Sequence, residues 1–314
     1  MKIVFLDAAT VGDDLDLSAF SELGEFVTYP FSTPEQAAER SIDADILIVN
    51  KVPVNEQTVG NARNLKLVCE AATGINNLDT DYLEKRGIPW KNAAGYSTEP
   101  VAQHTFAMLF YLLEKLSYYD HFVKSGKYAA GPSFTNLDKP YYEVKGKVWG
   151  IIGLGTIGRR VAGIAEAFGA EVIYASASGA APQEGYHQVS LDELYEKSDI
   201  ISIHAPLNRY TENLINKDSL SKMKKSCILL NLGRGPIVVE EDLRNALEQG
   251  QIAAAGLDVL VKEPMDEKNP LLKIQDSCRL LITPHIAWAS MEARERLMKI
   301  VYENICEFAD AMTE

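Results

Sequence analysis

The feature that most constrains this chain is Gly153-Leu154-Gly155-Thr156-Ile157-Gly158, three glycines at G-x-G-x-x-G spacing between the apolar run 147–152 and a helical pattern. A glycine string alone is a weak signal. A strand before it and a helix after it make it a strong one. The first glycine of such a loop makes a tight turn, the second lets backbone approach a pyrophosphate, and the third lets helix and strand pack closely. The helix N-terminus then faces the negative charge. Gly153, Gly155, Thr156, Ile157 and Gly158 are therefore expected to bind a dinucleotide.

The surrounding pattern repeats strand and helix. Apolar runs at 147–152, 171–175, 199–203, 227–232, 252–257 and 280–283 alternate with helical pieces near Leu191, Asp218 and 241–249. Six strands joined by crossovers spell a doubly wound parallel sheet. Residues 2–90 carry a second α/β pattern, with strands at 3–6, 45–49 and 65–69 and helices around 35–40 and 79–85. A chain of 314 residues has room for both units. Ser97 and Thr98, good N-cap types before Pro100, open a long helix expected to run to about Lys124. It is apolar around most of its circumference, so it should be buried on more than one side and contribute to a subunit contact. A final amphipathic helix at 290–311 should pack back on the first unit. The expected division is 1–97 with 288–314 against 98–287.

Composition narrows the partners. Lys plus Arg number 31 against 44 for Asp plus Glu, a net charge of −13. Such a surface repels nucleic acid and anionic lipid. Cys69, Cys227, Cys278 and Cys306 lie far apart without C-x-x-C spacing and read as free thiols; no metal site is expected. Only four apolar residues precede Asp7, too few for a signal-peptide core, and the stretch 101–113 is shorter than a membrane span. The expected compartment is the cytosol.

Ligands of open α/β sheets sit outside the carboxyl ends of the strands. The second strand of the larger unit ends Tyr174-Ala175-Ser176-Ala177-Ser178, without the usual acid for the adenosine ribose, so nothing repels a 2′-phosphate and NADP should be tolerated beside NAD. Later ends carry His204-Ala205-Pro206, Gly233-Arg234-Gly235, Asp258 followed by Glu263, and Pro284-His285. Arg234 can hold a carboxylate through two parallel hydrogen bonds. His285 can supply the proton that turns a carbonyl into a hydroxyl, and Glu263 can orient its ring. His204 reads as lining the adenosine side and His104 as packed and hydrogen-bonded. His121 and His187 read as solvated, and 222–225 as a charged helix end.

These residues resemble the D-isomer-specific 2-hydroxyacid dehydrogenases, in the glycerate dehydrogenase or hydroxypyruvate reductase branch. The likeness runs along essentially the whole chain. It is carried by Ala72-Thr73-Gly74, Tyr96-Ser97-Thr98, Val101-Ala102-Gln103-His104, the glycine loop and Asn231-Leu232-Gly233-Arg234-Gly235. Further carriers are Gly256-Leu257-Asp258-Val259, Lys262-Glu263-Pro264 and Thr283-Pro284-His285-Ile286-Ala287-Trp288.

The resemblance implies a Rossmann-type domain plus a flavodoxin-like substrate domain, a homodimer, and Arg234, Glu263 and His285 as the catalytic set. It implies cofactor contacts at Ser176, His204, Pro206, Leu232, Gly233, Asp258 and Ala287, with Asp258 near the nicotinamide carboxamide. Backbone N–H groups of Thr73, Gly74 and Ile75 are implied to meet the substrate carboxylate, with Lys51 nearby. Two departures stand out: Ser176 replaces the family's usual Asp, and the segment 131–142, with Phe134, Tyr141 and Tyr142, matches in position more than in detail. The implied activity is NAD(P)H-dependent reduction of a small 2-oxo acid, such as hydroxypyruvate or glyoxylate, to the D-2-hydroxy acid. The alternatives are a bulkier oxo acid of phenylpyruvate or branched type, or a nucleotide-sensing corepressor-like scaffold. The missing recruitment tail favours the enzyme.

Overall fold

A computed structural model describes residues 1–179, 183 and 185–311. The chain divides into two compact units, Met1–Ser97 with Ala289–Glu314, and Thr98–Trp288. Trp288 belongs to the second unit, where it packs against the core cluster that contains Phe106, Trp149 and Val161.

The first unit contains β1 (Lys2–Phe5), β2 (Glu25–Thr28), α1 (Pro34–Arg40), β3 (Ile46–Val49), α2 (Glu56–Val59), β4 (Leu67–Glu70), α3 (Thr80–Lys85) and β5 (Trp90–Asn92). The sheet order is β2-β1-β3-β4-β5 with every pair parallel, the flavodoxin-like order. Strands β3 and β4 are buried along their whole length and therefore read as unbroken apolar runs. Edge strands β2 and β5 are half-exposed and polar in part, which is why apolar patterning passes over them. Reciprocal Thr33 and Gln36 hydrogen bonds start α1, with Pro34 at its first position.

The second unit contains α4 (Thr98–Leu113), α5 (Leu116–Lys124), α6 (Lys127–Ala130), β6 (Val148–Ile152), α7 (Thr156–Ala167), β7 (Glu171–Ala175), β8 (His187–Gln188), α8 (Leu191–Lys197) and β9 (Ile200–Ile203). It continues with α9 (Lys217–Lys222), β10 (Ile228–Asn231), α10 (Glu240–Glu248), β11 (Ala254–Leu257) and β12 (Leu280–Ile282). All pairs are parallel in the order β12-β11-β10-β9-β6-β7-β8, which is doubly wound about β6. The sheet has seven strands rather than the six expected, because two-residue β8 is too short to leave a pattern.

The expected single helix from Thr98 to Lys124 is broken. Lys115 adopts a left-handed backbone at φ 57° between α4 and α5, and its ammonium donates to the Cys278 carbonyl at 3.2 Å. Helix α4 buries residues on several sides, against α7 and the β10–β12 edge. Trp149 of β6, fully buried, packs its ring tilted against Phe106 of α4 with centroids 4.9 Å apart and donates Nε1–H to Ser202 of β9 at 2.9 Å. Its truncation to alanine would cost about 3–5 kcal/mol. Helix α11 (Met291–Ala311) returns to the first unit and packs on β4, as expected. Among the described residues the four cysteines are free, no cluster of metal-ligating side chains occurs, and no helix is long and apolar enough to cross a membrane.

Candidate active site

The glycine loop joins β6 to α7. Gly153 has φ 92°, and a Cβ there would lie 2.9 Å from the Ala205 backbone; at Gly158 it would lie 2.3 Å from the Gly153 carbonyl. These two glycines are required by close packing. At Gly155 a Cβ would meet nothing within 4 Å, and no side chain caps the first turn of α7. Open space thus lies over a helix N-terminus opened by Thr156 and Ile157, a cradle that fits a dinucleotide pyrophosphate. Beyond β7, Ser176 and Ser178 hydroxyls lie 3.3 Å apart. At the end of β9 both His204 ring nitrogens are shut from solvent with no partner among the described residues, and burial drives the ring's pKa down to about 3. His204 is a neutral plate beside exposed Pro206.

The ends of β10, β11 and β12 are locked together by backbone geometry. Asn231, fully buried, accepts Gly233 N–H at 3.1 Å and donates to the Arg234 carbonyl at 3.0 Å, fixing the turn that presents Arg234 after Leu232 and Gly233. Arg234 is half-buried and donates Nη1–H to Gly233 O at 2.8 Å. Gly235 lies against the next loop: a Cβ there would be 1.9 Å from the Leu260 carbonyl atoms. Leu260 N–H in turn donates to Glu263 Oε1 at 2.9 Å, and Glu263 Oε2 accepts His285 Nδ1–H at 2.7 Å. A charge-assisted bond at Nδ1 leaves Nε2 as the working nitrogen.

Asp258, 2% exposed, organises the opposite side. Its carboxylate accepts Thr283 Oγ1–H at 2.6 Å and the N–H groups of Ile286 and Ala287 at 2.9 Å, while its carbonyl accepts His285 N–H at 2.8 Å. This wrap holds His285 in the left-handed region at φ 55°, a conformation that costs a non-glycine residue about 1–3 kcal/mol and concentrates at functional sites. His104 Nε2 lies 3.0 Å from Thr283 Oγ1, and burial lowers its pKa against the opposing Asp258 charge. Because the Thr283 hydroxyl gives its proton to Asp258, it accepts from His104.

In the first unit, Asp7 accepts the N–H groups of Asn50 at 3.0 Å, Lys51 at 2.6 Å and Val52 at 3.0 Å, fixing the segment after β3. After β4, Thr73 donates Oγ1–H to Ala93 O at 2.9 Å and its carbonyl accepts Asn92 at 2.7 Å, while Ile75 O accepts Leu78 N–H at 3.0 Å; Gly74 lies between. Sequence reasoning passed over Asp7, Asn231, Gly235, Leu260 and Thr283 as site builders. Asp7 and Asn231 carried a signal, a polar residue directly at the end of an apolar strand.

Residues 106–287 match the family described as D-isomer specific 2-hydroxyacid dehydrogenase, NAD binding domain. This chain belongs to that family. The dehydrogenase is 39% identical to a hydroxypyruvate reductase of Blautia hydrogenotrophica, over 98% of this chain and 97% of that one. It is 36% identical to a glycerate dehydrogenase of Methylorubrum extorquens, over 98% and 96%. Among solved structures it is similar to an acyclic imino acid reductase in complex with NADPH and D-Arg, with a TM-score of 0.88 and 32% identity, covering 99% of this chain and 98% of that chain. The dehydrogenase is an NAD(P)-dependent oxidoreductase.

Proposed function

We propose that the protein reduces small 2-oxo acids of the hydroxypyruvate or glyoxylate type to D-2-hydroxy acids, reversibly, with NADPH accepted beside NADH. The observation that carries this reading is the Glu263–His285 pair at 2.7 Å, seated on the loop that Asp258 wraps. The reduced nicotinamide supplies the hydride when bound. Arg234 holds the substrate carboxylate through a bidentate contact and polarises the carbonyl. His285 donates its Nε2 proton to the carbonyl oxygen, and Glu263 keeps the ring aimed and stabilises it while charged. Thr73, Gly74 and Ile75 offer backbone N–H groups to a substrate carboxylate, with Lys51 adding positive charge. Gly153, Gly155, Thr156, Ile157 and Gly158 hold the pyrophosphate, Ser176 the adenosine ribose, and His204, Pro206, Leu232, Gly233, Asp258 and Ala287 the rest of the cofactor. On this reading the unit of Met1–Ser97 with Ala289–Glu314 binds substrate and the unit Thr98–Trp288 binds cofactor. Orienting the reactants can supply roughly 7–11 kcal/mol of barrier reduction.

The same proposal places the protein in the cytosol as a homodimer. Phe134, Leu137, Tyr141 and Tyr142 are largely exposed in the segment after α6, and large exposed apolar side chains mark association surfaces. Loss of 340 nm absorbance with NADH or NADPH and a panel of 2-oxo acids tests the activity; no turnover with any oxo acid overturns it. Sedimentation at micromolar concentration tests the dimer, and a monomer refutes it.

A further inference from the structure

Two buried carboxyls stand under the C-terminal edge of the first sheet. Asp7 is satisfied by the three N–H groups already described. Glu70, the last residue of β4 and fully buried, is different: Oε2 accepts Asn77 Nδ2–H at 2.8 Å, while Oε1 has no partner among the described residues. Asn77 Nδ2 also donates to Val52 O at 3.2 Å, and Asn77 O accepts Val54 N–H at 2.8 Å. One amide therefore ties the turn 71–78 to the segment 50–54, and Glu70 sets that amide's orientation. A buried oxygen left unpaired is a cost that packing alone would remove, and such groups concentrate where function requires them.

We propose that Glu70 is a positioning residue for the substrate carboxylate: acting through Asn77, it fixes the Thr73-Gly74-Ile75 turn against the Lys51 segment. This rests on the reading of those residues given above. The acid works in its neutral form. Burial is the main cause that pushes its pKa up to about 8; Asn77 and Lys51 oppose the rise and the Asp7 charge adds to it. Asp7, which follows β1, and Lys51, from the segment after β3, are the charged groups that act on Glu70 among the described residues; Lys91 of β5 acts on the Cys69 thiol instead, and no described charge of α11 acts on Glu70. A second anion beside Asp7 would repel an incoming carboxylate, whereas a neutral carboxyl does not.

The test is KM and kcat for a 2-oxo acid between pH 6.5 and 9.5 in the wild type, Glu70→Gln and Glu70→Ala. If only the protonated form receives substrate, wild-type KM rises about tenfold between pH 7 and 9 without a matching change in kcat. Glu70→Gln keeps an acceptor for Asn77 and cannot ionise, so its KM stays flat. Glu70→Ala releases the amide, and its KM rises about tenfold at every pH. An alkaline rise in KM that persists unchanged in Glu70→Gln overturns the proposal, as does an unaltered KM in Glu70→Ala. Should Glu70→Ala not fold, the Glu70→Gln profile decides alone. Hydrogen exchange of the 71–78 backbone gives a readout independent of turnover: faster exchange in Glu70→Ala with wild-type protection in Glu70→Gln supports the role, and equal protection in all three refutes it. Absence of any 2-oxo acid reduction alongside the supporting exchange pattern counts against the proposed function and leaves the positioning of the turn standing.

Discussion

The Glu263 carboxylate lies 2.7 Å from His285 Nδ1, and its other oxygen accepts Leu260 N–H at 2.9 Å. A carboxylate held at both oxygens cannot swing, so the ring it orients cannot either. Replacing Glu263 by Gln exchanges a charge-assisted bond, worth about 1.5–3 kcal/mol, for a neutral one, and kcat for reduction should fall roughly 10- to 100-fold. His285→Asn should lose on the order of 100- to 10,000-fold in kcat, as general acids do. Steady-state kinetics and cofactor titration by nicotinamide fluorescence check both: near-normal turnover in His285→Asn removes it from the acid's role.

Gly235 is the joint between the Arg234 turn and the Glu263 loop. A methyl group there would lie 1.9 Å from the Leu260 carbonyl atoms, so Gly235→Ala must push the loop that carries Glu263. The expected result is a loss of kcat together with a melting temperature lowered by several degrees, a larger drop than Gly155→Ala gives, since Gly155 has open space around it. Gly155→Ala should instead weaken cofactor binding with little effect on melting. Thermal denaturation and cofactor Kd of the two variants separate these outcomes; the reverse pattern refutes the assignment.

Cofactor choice rests on Ser176 at the end of β7. Ser176→Asp should raise KM for NADPH at least tenfold through repulsion of the 2′-phosphate while leaving NADH comparable or better. Parallel saturation curves with both cofactors check it, and an unchanged NADPH KM places the specificity elsewhere.

His204 makes the fold sensitive to acid. Its pKa falls from the ordinary 6.5 to about 3 because burial disfavours the charged ring. A lowered folded-state value means the unfolded chain takes up the proton first. Stability is therefore full above about pH 6.5 and is lost as pH falls from there toward 3, by about 1.4 kcal/mol per pH unit for one proton. His204→Leu should flatten the acid arm of the stability profile relative to the wild type, measured by urea denaturation at pH 4 to 7. Parallel profiles would show that other groups set the acid limit.

Much of this was written in residue order. Fully buried parallel strands such as Ile46–Val49 and Ile228–Asn231 announce themselves as apolar runs because both of their faces are covered. Strands β2, β5 and β8 stayed silent because edges face water and need no such run. The helix break at Lys115 was equally silent, since it depends on a carbonyl 163 residues away, that of Cys278.

The candidate site divides the same way. Local sequence determined the glycine loop, the missing acid at Ser176, and the chemistry available at Arg234, Glu263 and His285, because residue type and the strand-to-helix period are properties of neighbours along the chain. Only the tertiary structure decided that Glu263 meets His285, that Gly235 must yield space to Leu260, and that Glu70 is buried beside Asn77 with one oxygen unpaired among the described residues. Those facts depend on which strand ends the parallel sheets bring side by side, and on the loss of water there. Both arise from long-range packing, which no stretch of neighbouring residues encodes.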